Sequence, residues 1–149
     1  MAAGELPRNF KLLEEYDNAI GKEGKSMITG RHAGLIDYGL EEEKDDNLLH
    51  YWRAIIIGPQ ETHIGEFIYR LQVYVSDKYP EEAPQLKFIE PKIAMPAVGG
   101  DGTVNLKKLE PRFQWSKEKN IADCLMAIRE NMYNEKVWKP SGSLANTSY

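Results

Sequence analysis

The stretch EFIYRLQVYVS, residues 66–76, alternates apolar and polar side chains along its length. The apolar set comprises Phe67, Tyr69, Leu71, Val73 and Val75. A period of two is typical of a strand with one face on the core and the other towards solvent. The stretch therefore predicts a half-buried strand. It also places Ile68 among polar residues on the outer face.

Three more strands are predicted around this one, at Asp37–Glu41, Leu49–Ile57 and Gln85–Glu90. The segment Leu49–Ile57 is rich in β-branched and aromatic residues, which favour strands. Gly58-Pro59 and the Pro-rich stretch at Lys78–Pro84 mark turns between them. Because the connections are short, we expect a four-stranded antiparallel meander.

A helix is predicted before the sheet, over Phe10–Ile20, with Pro7 suited to a first helical position. The predicted core-facing stripe consists of Leu12, Leu13, Tyr16 and Ile20. Phe10 lies about 60° beyond the edge of that stripe. Two alternatives stay open for Phe10: it folds back into the core, or it anchors a partner.

A second helix is predicted after a long loop, with Asn120 as its N-cap. Apolar residues recur there at three- and four-residue spacing, namely Ile121, Cys124, Leu125, Ile128 and Met132. The fold class is therefore α+β, in a single domain over residues 1–149. The polar residues 140–149 are expected to form a flexible tail.

Composition excludes several classes of function. The chain has 149 residues, 42% of them hydrophobic, and a net charge of −4. This balance is typical of a globular domain and lacks the basic excess of a nucleic-acid-binding protein. No apolar run approaches membrane-spanning length, so we expect no membrane association. A single cysteine, Cys124, cannot form an internal disulfide, which favours a reducing compartment.

The residue types that carry chemistry are sparse. His32, His50 and His63 lie far apart and lack ligand spacing, so neither a zinc site nor another cofactor is expected. Cys124 shares the apolar face of its helix, and a buried thiol is inert because burial raises its pKa. The GGDG stretch at residues 99–102 predicts a turn that requires positive φ.

Two surface features remain. The acidic run Glu41–Asp46 falls at the first hairpin and is interpreted as a solvated turn rather than a metal site. Ile55 sits beside Arg53 on a mixed strand face, as Ile68 does on the neighbouring strand. Single surface isoleucines are normal, but two on adjacent strands hint at a binding patch.

Several motifs in order resemble the ubiquitin-conjugating enzymes. They are YWRAIIIGP (51–59), KYPEEAPQLKF (78–88), KIAMP (92–96) and QWS (114–116). The resemblance covers roughly Pro7 to Val137. In that family a His-Pro-Asn motif precedes a catalytic cysteine by eight residues, and the cysteine carries ubiquitin as a thioester. The family asparagine stabilises the oxyanion when a lysine attacks.

Both chemical positions differ here. Met95 and Ala97 stand at the His and Asn of the motif, and Asn105 stands at the cysteine. Losing an oxyanion donor costs about 10²–10³ in rate, and losing the nucleophile removes covalent catalysis. The resemblance therefore implies a catalytically inactive ubiquitin-conjugating enzyme variant, not an enzyme. It also implies the family fold without its last two helices.

The opening PRNFKLLEEY, residues 7–16, resembles one branch of these variants. Members of that branch pair with an active conjugating enzyme and build lysine-63-linked ubiquitin chains. The alternatives are an endosomal-sorting variant that binds Pro-rich peptides and ubiquitin, and an independent enzyme that uses Cys124. The branch resemblance also implies the cytoplasm and nucleus as locations, DNA damage tolerance as a setting, and a RING-type ligase acting through the complex.

The resemblance assigns roles residue by residue. Contacts with the partner enzyme are expected at Phe10, Arg8 and Leu13, with Phe10 filling a pocket on the partner. Contacts with the acceptor ubiquitin, which is bound non-covalently, are expected at Ile68, Ile55 and Asp37.

Two local features depart from the family pattern or refine it. The loop Gly21–Ile36 is longer than the family's usual connection, and its basic residues are Lys22, Lys25 and Arg31. A tolerated surface insertion is favoured over a partner contact for this loop. Tyr79-Pro80 is a candidate cis bond, because an X-Pro bond gives up only about 0.5–1 kcal/mol in going cis.

Overall fold

Within the described residues, four antiparallel strands form one sheet, and two α-helices accompany it. The computed structural model describes residues 5–21, 26–41, 48–59, 67–93, 95–109 and 112–133. Its helices and strands are α1 (Glu5–Ala19), β1 (Ile36–Leu40), β2 (Tyr51–Ile57), β3 (Ile68–Tyr74), β4 (Gln85–Glu90) and α2 (Ile121–Met132). The predicted α+β class and the order of elements are confirmed. The tail 140–149 and most of the acidic run lie outside the described residues.

The sheet has the meander order β1-β2-β3-β4, with every neighbouring pair antiparallel. Its inner face is apolar, and the β2–β3 register places Trp52 opposite Val73 and Ala54 opposite Leu71. All four side chains are buried. Because side chains alternate with period two, a one-residue slip would turn this whole set to solvent, so burial fixes the register.

Helix α2 packs on the core with the face that its apolar spacing predicts. Ile121, Cys124, Leu125, Ile128 and Met132 are all buried. Asn120 is the N-cap: its side chain accepts from the Asp123 backbone N–H, and the Asp123 carboxylate accepts from the Asn120 backbone N–H. This capping box satisfies two donors that the start of a helix leaves free.

The predicted core stripe of α1 is wrong in part. Leu12 is buried, but Leu13 and Ile20 are exposed, and the inward face instead carries Arg8 and Glu15. Arg8, Leu12 and Glu15 follow one another at helical spacing, four and three residues apart. Apolar periodicity missed this face because two of its three buried positions hold charged residues.

The Glu15 carboxylate joins three parts of the chain. It accepts a 2.5 Å hydrogen bond from the Tyr79 hydroxyl and a 2.6 Å bond from the backbone N–H of Ile121, the first residue of α2. Burial raises the pKa of this carboxyl, and the two hydrogen bonds oppose that rise. The partial positive charge of a helix N-terminus favours the ionised form. Glu15 therefore fixes α1 against α2 and against the Tyr79 turn.

The Tyr79 turn is built around a cis peptide bond to Pro80, as predicted. The Pro80 carbonyl accepts a 2.8 Å hydrogen bond from the Trp115 indole, and the Tyr79 and Trp115 rings lie 5.7 Å apart. Glu90-Pro91 is also cis, which the sequence analysis did not predict. The turn thereby links the end of β3 to the segment that leads into α2.

Replacing Glu15 tests this junction. We expect Glu15→Ala to lower the free energy of unfolding by about 3 kcal/mol, because it leaves two buried donors without an acceptor. Glu15→Gln keeps one acceptor oxygen and should cost about 1 kcal/mol. Urea denaturation measures both values.

The matched control is Glu14→Ala on the exposed neighbour, which should change stability by less than about 0.5 kcal/mol. A loss for Glu15→Ala no larger than that of the control would contradict the role given to the carboxylate.

Candidate functional site

The loop from Met95 to Leu109 folds back on itself through backbone bonds. The Asn105 N–H donates to the Ala97 carbonyl at 2.7 Å, and the Gly99 N–H donates to the Thr103 carbonyl at 2.9 Å. Val98 and Val104 form an isolated antiparallel bridge. Gly102 has φ +94°, so the predicted positive φ is confirmed for this glycine. These bonds bring Ala97 and Asn105 together without using their side chains.

The side chains at the three positions that the family resemblance assigns to the active site have structural surroundings. Asn105 is exposed, and its Oδ1 accepts from the Lys107 N–H at 3.1 Å, which caps the 3₁₀ turn Leu106–Lys108. Ala97 is buried and offers only a methyl group. Met95 is buried as well, and its sulfur accepts from the Asn131 amide at 3.4 Å. The Asn105 carboxamide is not a useful nucleophile, and the Ala97 methyl group has no hydrogen to donate to an oxyanion.

The single cysteine lies away from solvent. Cys124 is fully buried on the core face of α2, and burial raises the pKa of its thiol. A protonated, enclosed thiol is a poor nucleophile. The structural interpretation of Cys124 is therefore the one that its surroundings favour.

The solvent side of α1 carries an exposed apolar pair. The Phe10 side chain is 63% exposed and Leu13 is 48% exposed. They are three residues apart, so they lie side by side on the helix surface. Of the two alternatives for Phe10, the fold excludes packing into the core, and the pair is available to another molecule.

Arg8 differs from the other two residues assigned to the partner contact, because it is only 2% exposed. Its guanidinium donates to the backbone carbonyls of Leu48, Val75 and Ser76. A side chain enclosed in this way presents no surface to a second protein. The direct contact expected for Arg8 is therefore replaced by an internal one that holds α1 to the end of β3.

The three residues assigned to ubiquitin lie on the outer face of neighbouring strands. Asp37 on β1 is directly opposite Ile55 on β2, and Ile55 is opposite Arg70 on β3. Ile68 begins β3 opposite Ile57 and is 58% exposed, as its position in the sequence predicts. We call Asp37, Ile55 and Ile68 the outer-sheet patch.

Charged side chains border the outer-sheet patch. Asp37 and Arg53 form an ion pair at 3.7 Å, and Arg70 donates to Glu90 at 2.6 Å. All four charged groups are largely exposed, so these pairs contribute little to stability. The apolar part of the outer-sheet patch therefore consists of Ile55 and Ile68.

The described part of the long loop before β1 docks on the end of α2, which the sequence does not predict. Buried Arg129 donates to the Ile57 carbonyl at 2.8 Å and hydrogen-bonds His32 Nδ1 at 3.0 Å. His32 Nε2 lies 3.0 Å from Glu130, and burial lowers the pKa of the imidazole. A neutral His32 can donate through Nε2 to Glu130 and accept at Nδ1 from Arg129, which satisfies the hydrogen bonds of both residues.

Arg31 takes part in the same docking. It pairs with Glu130, and its guanidinium carbon lies 3.6 Å from the centre of the Tyr133 ring. This basic residue thus has an internal role in the fold, whereas Lys22 and Lys25 lie outside the described residues. The sequence signal for this docking is weak. It consists of the basic residues Arg31 and His32 and the acidic residue Glu130, about a hundred positions later.

The described part of the chain contains neither a cluster of metal ligands nor a helix suited to cross a membrane. No group of three or more His, Cys, Asp or Glu residues there could hold a metal ion. None of the helices in that part is long and apolar enough to cross a membrane.

Comparisons with known proteins identify the family of the chain. Residues 23–146 match the family model described as "Ubiquitin-conjugating enzyme". The Ubiquitin-conjugating enzyme E2 variant 1C of Arabidopsis thaliana is 33% identical over 140 residues, covering 91% of this chain and 89% of that protein. The Ubiquitin-conjugating enzyme variant MMS2 of Saccharomyces cerevisiae is 28% identical over 142 residues, covering 91% of this chain and 94% of that protein.

A solved structure supports the fold. Human ubiquitin-conjugating enzyme E2 G1 aligns with a TM-score of 0.64 and 22% identity over 89% of this chain and 96% of that one. Sequence and structure together show that the chain belongs to the ubiquitin-conjugating enzyme family, with the E2 variants among its relatives.

Proposed function

We propose that this chain is a catalytically inactive variant that pairs with an active conjugating enzyme and positions an acceptor ubiquitin for lysine-63-linked chain synthesis. The observation that carries the proposal is the Met95–Leu109 loop. It keeps its fold through backbone bonds, while Asn105 supplies no nucleophile and Ala97 supplies no oxyanion donor. The similarity to E2 variants of a plant and a yeast supports the inactive class.

The proposed mechanism separates chemistry from orientation. The partner carries the donor ubiquitin as a thioester. A lysine amine of the acceptor attacks the thioester carbonyl and forms an isopeptide bond, while the C–S bond breaks and the partner's cysteine leaves as the free thiol. This chain binds the acceptor through the outer-sheet patch and makes no covalent bond. A correctly held amine gains effective concentration over all others, so the linkage follows from the geometry of docking.

The two proposed surfaces lie at opposite ends of β3. Arg8 ties the start of α1 to Val75 and Ser76, just past the end of the strand, whereas Ile68 begins it. Seven residue steps at about 3.3 Å place these points roughly 20 Å apart along the strand. This separation supports simultaneous binding of the enzyme at Phe10 and of ubiquitin at Ile68.

The proposal extends to the setting of the complex. The cytoplasm and nucleus are the proposed locations, and a RING-type ligase is proposed to act through the partner enzyme rather than through this chain.

The absence of thioester chemistry is directly testable. Incubated with activating enzyme, ATP and ubiquitin, the chain should form no reductant-sensitive adduct, because Asn105 is no nucleophile and the Cys124 thiol is enclosed. Non-reducing gels read this out, with the active conjugating enzyme as positive control. An adduct that disappears in Cys124→Ser would show that Cys124 is catalytic and would overturn the inactive assignment.

Phe10→Ala should weaken binding to the active conjugating enzyme by about 2 kcal/mol or more, because a buried aromatic anchor is a typical hot spot. Isothermal titration calorimetry measures the change. The matched control is Ile20→Ala, which removes another exposed apolar side chain near the far end of α1 and should leave the affinity unchanged. Equal losses in both variants would contradict a specific role for Phe10.

Ile68→Asp should abolish chain synthesis while leaving the heterodimer intact, because it places a charge in the apolar part of the outer-sheet patch. The control is Gln85→Asp, which adds the same charge at an exposed position of β4. Chain formation and co-elution with the partner are followed side by side. Undiminished synthesis by Ile68→Asp would remove the patch from the mechanism.

A further inference from the structure

The direction of Phe10 depends on a buried arginine two residues before it. Two residue steps on an α-helix turn by about 200°, so a side chain that points inward at Arg8 leaves Phe10 pointing outward. The observed exposures, 2% for Arg8 and 63% for Phe10, match this relation. Any rotation of α1 that released Arg8 would therefore also turn Phe10.

The Arg8 guanidinium is held at three backbone positions. Nε donates to the Ser76 carbonyl at 2.8 Å, Nη2 to Val75 at 3.0 Å and Nη1 to Leu48 at 2.5 Å. Nη1 also donates to the Asn9 side chain at 2.9 Å. A buried cation is costly unless its donors are satisfied, so these fixed carbonyls impose a narrow range of positions on the start of α1.

Apolar packing alone does not fix the rotation of α1 against the core. Leu12 is its one fully buried apolar side chain among the described residues, and Tyr16 and Ala19 are only partly buried. Glu15 anchors the second half of α1 through Tyr79 and Ile121. Arg8 is the corresponding anchor for the first half, in the turn that carries Phe10.

We propose that Arg8 is a positioning residue for Phe10, which preorganises the anchor for the partner enzyme without touching the partner. The inference rests on the proposed function and deepens its enzyme-binding surface. An anchor held in its bound direction avoids the free energy of ordering on binding. If the first turns of α1 detach in some molecules, the apparent affinity for the partner enzyme falls in proportion to the fraction in which Phe10 still points in the binding direction.

A double-mutant cycle separates this indirect role from a direct contact. Arg8→Lys keeps the charge but cannot reach all three carbonyls with one ammonium group. Its affinity for an active lysine-63-linkage conjugating enzyme is measured by calorimetry with Phe10 present and in the Phe10→Ala background. We expect roughly tenfold weaker binding with Phe10 and less than about twofold further loss without it. Arg112→Lys, an exposed arginine in the loop before α2, is the matched control and should have no effect.

Hydrogen exchange supplies a readout that a general loss of stability does not reproduce. In Arg8→Lys, the amides of residues 9–12 should exchange faster, while those of Leu71 and Val73 in β3 keep their protection. If β3 also loses protection, Asn9→Ala replaces Arg8→Lys in the same cycle. It removes one acceptor of the guanidinium and leaves the three carbonyl bonds in place, so the same pattern is expected with a smaller loss, about twofold with Phe10 present and none without it.

The outcomes are distinct. Unchanged affinity in Arg8→Lys, equal losses in both backgrounds, or unaltered exchange in α1 would each overturn the positioning role. A wild-type chain that does not bind the enzyme, or Phe10→Ala that binds as tightly as wild type, would instead refute the proposed function on which the inference rests.

Discussion

The buried carboxylate of Glu15 is the interaction on which the arrangement of the elements depends. It receives the Tyr79 hydroxyl and the first N–H of α2, so α1, the turn after β3 and α2 share one ionisable group. A buried carboxylate tolerates few alternative geometries, since each lost hydrogen bond leaves a desolvated polar group. Together with Arg8, seven residues earlier on the same helical face, it sets the rotation of α1. The exposed positions of Phe10 and Leu13 follow from that rotation.

The loop at Ala97 and Asn105 shows how a family fold can be kept without a nucleophile or an oxyanion donor at the positions that the resemblance assigns to them. The bonds that close the loop run between backbone groups, and the Asn105 side chain caps a turn. Replacing a nucleophile and an oxyanion donor therefore removes no interaction on which the loop depends. What the chain retains is a rigid sheet with one exposed apolar surface at each end of β3. Such a scaffold is suited to holding two other proteins in a fixed relation while a partner supplies the reactive thioester.

The sheet, the capped α2 and the cis bond at Tyr79 could be predicted because their signals are local in sequence. Alternation along residues 66–76 and the Asn120 cap require no knowledge of distant partners. The face of α1 could not be predicted in the same way. Glu15 meets Ile121 at a separation of 106 residues, and Arg8 meets Val75 at a separation of 67. The apolar periodicity of α1 predicts Leu13 as a core residue and gives no indication that the charged Arg8 and Glu15 are buried. The docking of Arg31 and His32 on α2 was missed for the same reason, because Arg129 and Glu130 complete it.

We propose that this chain directs the linkage made by another enzyme. The most direct measurement mixes the chain with activating enzyme, ATP, ubiquitin and a cysteine-containing lysine-63-linkage conjugating enzyme, and identifies the linkages by mass spectrometry. Free lysine-63-linked chains should form only when both proteins are present, and none should form with ubiquitin whose lysine 63 is replaced by arginine. Equal synthesis by the conjugating enzyme alone, or chains of mixed linkage, would contradict this proposal.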